Sequence, residues 1–126
     1  MSSETAGPGQ PFTEEIAGWT CSVYPDPAHP GFEAICARRN RREADIGDPL
    51  EARLHFVAGP GRSVVVQHRI WVIHDPAERQ RMRWGEEKFR STDELRAWLE
   101  QTALPAALVR MLLEQVSSLP TLLASA

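Results

Sequence analysis

Two stretches in the middle of the chain alternate apolar and polar positions with a period of two. Residues 50–57 read LEARLHFV and residues 63–74 read SVVVQHRIWVIH. That period, with β-branched and aromatic residues on the apolar positions, predicts two strands. Ala58-Gly59-Pro60-Gly61-Arg62 joins them as a five-residue hairpin loop. With Val57 facing Ser63, Leu50, Ala52, Leu54 and Phe56 meet Ile70, His68, Val66 and Val64 on one face. Glu51 and Arg53 meet Arg69 and Gln67 on the other. A slip of one residue would mix the two sets, so the pattern itself selects which side is core.

Upstream, Trp19–Tyr24 and Phe32–Arg38 read as two more strands. Between them Pro25, Pro27 and Pro30 remove ladder donors and make a rigid loop. Pairing these strands sets Trp19, Cys21 and Val23 on the same face as Ala34 and Cys36. Thr13–Ala17 is expected to form one helical turn, capped by Thr13 and stopped by Gly18. Arg39–Pro49 is a charged loop. Downstream, Asp75-Pro76 signals a turn and Arg79–Trp84 a further strand. Two registers compete there. One sets Arg81 and Arg83 beside Val72 and Ile70 on the core face. The other, with one more loop residue, brings Met82 and Trp84 inward instead. The second is the expectation, because an unpaired arginine in a core is costly.

After a turn at Gly85–Phe89, Ser91-Thr92-Asp93-Glu94 is a capping box that opens a helix with Leu95, Trp98 and Leu99 as its apolar stripe. Pro105 suits the first turn of a second helix. Its stripe is Leu108, Met111, Leu112, Val116 and Leu119, and Pro120 ends it. Together these elements predict an α+β domain. It has an antiparallel meander sheet of about five strands, with two C-terminal helices packed on one face. Residues 1–11 are expected to be a short disordered tail, 12–120 the single domain, and 121–126 a C-terminal tail. The covered face is expected to hold Leu54, Phe56, Val64, Val66, Ile70, Val72, Met82 and Trp84, with the Trp98 ring buried against it.

Composition changes this picture little. The 126 residues are 42% hydrophobic and 25% charged, which fits one globular domain and argues against disorder. No apolar run approaches the roughly 18 residues of a membrane span. Met1–Pro11 has neither the basic start nor the apolar stretch of a secretory signal. Two cysteines fit a reducing compartment, so the expected location is cytoplasmic. The net charge of −3 is unevenly spread. Residues 1–33 hold five acids and no Lys or Arg, while residues 34–90 hold twelve bases and eight acids.

The richest candidate surface is the face of the sheet away from the helices. Arg53, Arg69, Trp71, Ile73, Arg81 and Arg83 are expected to project there, with Gln67 and His55 nearby. Arg and Trp are enriched at protein-binding hot spots, and a guanidinium beside an indole also suits single-stranded nucleic acid. Ordinary cross-strand stacking of Arg on Trp accounts for the same residues without any partner. Arg38, Arg39, Arg41 and Arg42 form a second basic feature, able to contact phosphate or an acidic partner. Glu43, Asp45 and Asp48 follow at once and offset it.

No residue set calls for catalysis, a metal or a cofactor. The sequence has no CxxC or HExxH, and its histidines are not clustered. Asp26 and His29 share the proline-held loop but have no third catalytic group in reach of sequence reasoning. Cys21 and Cys36 read as buried apolar thiols rather than as a bridge or nucleophile. The carboxylate pairs Glu14/Glu15, Glu86/Glu87 and Asp93/Glu94 sit in loops or at a helix start.

The expectation is therefore a small non-enzymatic protein-binding domain of the adaptor, inhibitor or toxin-neutralising kind, with a protein as partner. A single-strand nucleic-acid binder using the same face and the Arg38–Arg42 loop is the alternative. An enzyme with a dispersed active site is a third. Membrane binding is not expected. The stripe on residues 108–119 also suits a homodimer seam.

Overall fold

The computed structural model describes residues 10–74 and 80–119. The Asp75-Pro76 turn, most of the expected N-terminal tail and the stretch from Pro120 onward lie outside the described residues.

The described residues form one six-stranded antiparallel sheet in simple meander order, followed by two helices. The strands are β1 (Phe12–Ile16), β2 (Trp19–Pro25), β3 (Gly31–Arg38), β4 (Pro49–Gly59), β5 (Ser63–Ile73) and β6 (Gln80–Phe89). The helices are α1 (Thr92–Gln101) and α2 (Ala106–Ser117).

The strand beyond the expected five is β1. It occupies the segment expected as a helical turn, and the cause is the turn that follows it. Ala17 and Gly18 both take positive φ, 49° and 83°. Two such residues in a row make the hairpin turn whose twist matches its flanking strands. Ile16 then pairs with Trp19 and Phe12 with Val23, so backbone ladder bonds replace the first turn of a helix.

The β2–β3 pairing matches the sequence reading, with Cys21 opposite Cys36 and Val23 opposite Ala34. The β4–β5 hairpin is tighter than expected. Gly59 pairs with Ser63, so Ala58 and Gly59 join the ladder. The pairing moves by two residues: Phe56 meets Val66, Leu54 meets His68 and Arg53 meets Arg69. A shift of two keeps every side chain on its expected face. It does change the neighbours, turning an expected Glu51–Arg69 pair into two opposed arginines.

The β5–β6 register is the one that the sequence argument set aside. Val72 pairs with Arg81, Ile70 with Arg83 and Trp71 with Met82. Arg81 and Arg83 therefore lie on the helix side of the sheet, and Met82 and Trp84 on the other side. No arginine is buried by this, because the helices stop short of that end of β6, where both guanidinium side chains are exposed. The cost that argued for the other register does not arise on an edge strand. Met82 and Trp84, expected in the core, are 42% and 74% exposed. β6 also runs on to Phe89 through the segment expected as a turn.

The core lies between the sheet and the helix pair. Trp19, Cys21, Ala34, Leu54, Phe56, Val64 and Val66 from the sheet pack with Leu95, Leu99, Leu108, Leu112 and Val116. Phe32 and Phe56 stack across β3 and β4 with ring centroids 4.7 Å apart. The Ser91 half of the capping box forms as read, the Glu94 amide donating to Ser91 Oγ, while Glu94 Oε1 reaches one residue further back and accepts from the Arg90 amide. Trp98 is only partly buried. It covers His68 and Phe89 at 4.8 Å and 5.7 Å between ring centroids.

Candidate functional site

The pairing registers arrange the open face of the sheet in rows that cross the strands. One row runs Tyr24, Glu33, His55, Gln67 and Glu86. The next runs Ser22, Ile35, Arg53, Arg69 and Trp84. A third runs Thr20, Ala37, Glu51, Trp71 and Met82. The first two rows bound a groove of about 530 Å³, with Arg53, Arg69, His55, Glu33, Trp84 and Glu86 among its walls.

Arg53 and Arg69 are its centre. They oppose each other directly across β4 and β5, both exposed. Like charges in that position repel, and neither has a carboxylate within ion-pair distance among the described residues. The Arg53 guanidinium lies 5.9 Å from the Trp71 ring centroid, a cation–π contact worth about 0.5–1 kcal/mol at an exposed site. Trp84 stands beside Arg69 on β6, its ring open to solvent. Gln67 Nε2 donates to Glu86 Oε1 at 3.2 Å. Two cations with room for more hydrogen bonds are thus framed by two indoles and the Met82 side chain.

Of the six residues expected on this face, the structure brings Arg53, Arg69 and Trp71 together. Arg81 and Arg83 fall on the opposite side of β6, for the reason of register given above. Ile73 keeps its expected parity but is 7% exposed. The amide of Gly47 donates to its carbonyl and its own amide donates to the Asp48 carbonyl, so the loop before β4 closes over the end of β5. Met82 and Trp84 are the members that sequence reasoning missed. Their alternation with Arg81 and Arg83 was visible, but not which set faced inward.

The basic run before β4 is largely used within the protein. Arg38 stacks on Trp19 at 5.3 Å and its Nε donates to the Pro49 carbonyl at 3.0 Å. Arg39 pairs with Glu15 at 2.7 Å and Arg41 with Glu51 at 3.4 Å. Asn40 caps the short 3-10 turn Arg41–Glu43 by accepting from the Arg42 amide. Among the described residues, only Arg42 of the four has a guanidinium with no such contact.

One Asp–His pair does form, with a partner the sequence did not suggest. Asp26 Oδ2 lies 2.8 Å from His55 Nε2, while Asp26 Oδ1 accepts from the amides of Ala28 and His29. His29 contributes its backbone rather than its ring. The Ala28 amide, and then His55, hold the Asp26 carboxyl below the usual carboxylate range. The β3–β4 pairing of Glu33 with His55 carries that histidine to the proline loop, a meeting that no local spacing reveals. An aspartate can orient a histidine for base catalysis, but the pair needs a nucleophile or bound water to act upon. No hydroxyl or thiol of the described residues hydrogen-bonds to His55, and both cysteines are buried on the other face. The hydrogen bond with the neighbouring Cys21 thiol, and then burial, push the Cys36 thiol up, the opposite of an activated nucleophile.

Among the described residues no group of three or more His, Cys, Asp or Glu is placed to hold a metal. No helix there is long and apolar enough to cross a membrane. Comparison of the chain with family models, curated proteins and solved structures finds no match.

Proposed function

We propose that this domain is a non-enzymatic protein-binding module, whose open sheet face takes an acidic segment of a partner protein with apolar side chains. The observation that carries this reading is the opposed pair Arg53 and Arg69, held without carboxylate partners among the described residues and framed by Trp71, Trp84 and Met82. A carboxylate from a partner relieves their repulsion through charge-assisted hydrogen bonds. The indoles offer rigid apolar area at the same place, as hot spots do. The module is of the adaptor, inhibitor or toxin-neutralising kind. Two free cysteines fit a cytoplasmic setting.

Single-stranded nucleic acid is the second reading, favoured by the addition of Trp84 to Trp71 beside two arginines. Glu33, Glu51 and Glu86 on the same face oppose it, as does the internal use of Arg38, Arg39 and Arg41. The test is fluorescence anisotropy with three labelled probes: an acidic peptide containing Leu and Phe, its Asn/Gln counterpart, and oligo-dT, each at low and near-physiological salt. Binding of the acidic peptide alone, weakened tenfold or more in Arg53→Ala and Trp71→Ala, is the expected result. Oligo-dT binding with a steep salt slope would transfer the site to nucleic acid. Equal binding of both peptides would remove the role given to the arginines.

A further inference from the structure

β6 is an edge strand. It pairs with β5 alone, and no strand of the described residues lies along its outer side. Natural edges of this kind are usually short, broken by proline or covered, because their free backbone groups template pairing with another chain. Among the described residues, the protection β6 carries is charge: five of its ten residues are charged, and Arg81 and Arg83 among them point to the helix side. The strand is ten residues long, contains no proline, and is exposed at every position from Gln80 to Trp84.

Its charges are sorted along its length. Arg81 and Arg83 lie in the first half, and Glu86 and Glu87 in the second, with Lys88 beside them; an antiparallel pairing centred on Trp84 sets Lys88 against the uncharged Gln80. A parallel copy would set arginine near arginine. An antiparallel copy sets the basic half against the acidic half, so the strand is complementary to itself. Continuing the sheet also requires that partners face the same side, which excludes every register that mixes odd and even positions.

We propose that two copies of this chain join through their β6 strands, antiparallel and centred on Trp84, to give one continuous sheet about a two-fold axis. In this register Arg81 of each copy opposes Glu87 of the other on the helix side. Trp84 meets its own symmetry mate on the open side. The two ion pairs are equivalent by symmetry, as an isologous interface demands. Glu87 is free to take part: its side chain is 44% exposed, and its bond to His68 Nε2 is long at 3.3 Å. Trp84, 74% exposed in the single chain, gains a stacking partner. The two open faces then lie side by side, and the paired arginines of each copy form one longer binding surface.

The test is the mass of the full chain in solution across a concentration series, by sedimentation or light scattering. A mass twice that of one chain is expected at tens of micromolar. Arg81→Glu and Glu87→Arg should each weaken association tenfold or more, and the double variant should restore it. A second measurement does not rely on these charges. Under mild copper-phenanthroline oxidation, Trp84→Cys should cross-link to a covalent dimer, whereas Met82→Cys, which faces Glu86 of the other copy, should not. Cys21 and Cys36 are buried and do not compete. A wild-type chain that stays monomeric at hundreds of micromolar overturns the proposal. So does a dimer indifferent to both charge reversals, or equal cross-linking at positions 82 and 84. Mass is read without any peptide, and Arg53 and Trp71 are untouched, so dimerisation stands or falls separately from segment binding.

Discussion

Removing the Trp98 ring tests how α1 is held to the sheet. A fully buried tryptophan cut to alanine costs about 3–5 kcal/mol, the value expected if the ring were sealed against the sheet. Here part of the ring faces solvent, which lowers the transfer contribution to about 2–3 kcal/mol. Its tilted contacts with His68 and Phe89 add about 0.5 kcal/mol or more each. A third effect has the opposite sign. Among the described residues His68 Nδ1 is buried with no hydrogen-bond partner, and an orphaned group of this kind costs about 1–3 kcal/mol. Trp98 packs against that imidazole, so Trp98→Ala admits water to the nitrogen and recovers part of this cost. The net expectation is about 2 kcal/mol, or a fall in Tm of roughly 6–10 °C for a chain of this length. Leu99→Ala, one position along and fully buried, offers no such compensation and should cost about 2–5 kcal/mol. Urea denaturation of the wild type and both variants, followed by circular dichroism, gives the comparison directly. A Trp98→Ala loss equal to or above that of Leu99→Ala, or below about 0.5 kcal/mol, would refute this account.

Two further outcomes follow from local geometry. In Gly31→Ala the added methyl would sit on the Phe56 carbonyl oxygen and 2.8 Å from Val57 Cγ1. The β3–β4 ladder must open there, at a cost of about 2–3 kcal/mol in chemical denaturation; a change under 0.5 kcal/mol would mean that β3 starts later. Asp26, whose folded carboxyl titrates below its ordinary 3.8, contributes stability that is fully present above that value and lost as pH falls through the folded one. Asp26→Asn should therefore flatten the acid limb of the stability curve, and an unchanged slope in acid would show that the loop bonds persist on protonation.

The fold was largely legible because most of its signals are local. The period of two in residues 50–57 and 63–74 decides which side chains can share a face, and a two-residue change of register leaves that decision intact. Ser91 and Glu94 cap α1 through bonds that close within a few residues. Alternation alone also put Cys21 and Cys36 on one face, since both strands carry their small apolar residues on one parity.

What only the tertiary structure decided is where the core ends. The sequence shows that Arg81 and Arg83 alternate with Met82 and Trp84, but the inward set depends on how far two helices, joined later in the chain, reach across the sheet. They stop short of that end of β6, so arginine is tolerated on the helix side and two large apolar side chains are left open. The same holds for the pair of Asp26 with His55, 29 residues apart, and for the opposed Arg53 and Arg69. Alternation assigns a face to each side chain at no distance cost, whereas a neighbour across strands exists only once every intervening turn has taken its length. Hairpin closure at Gly59–Ser63 set that length for Arg53 and Arg69, the β3–β4 pairing set it for His55, and together they set the charges that meet on the open face.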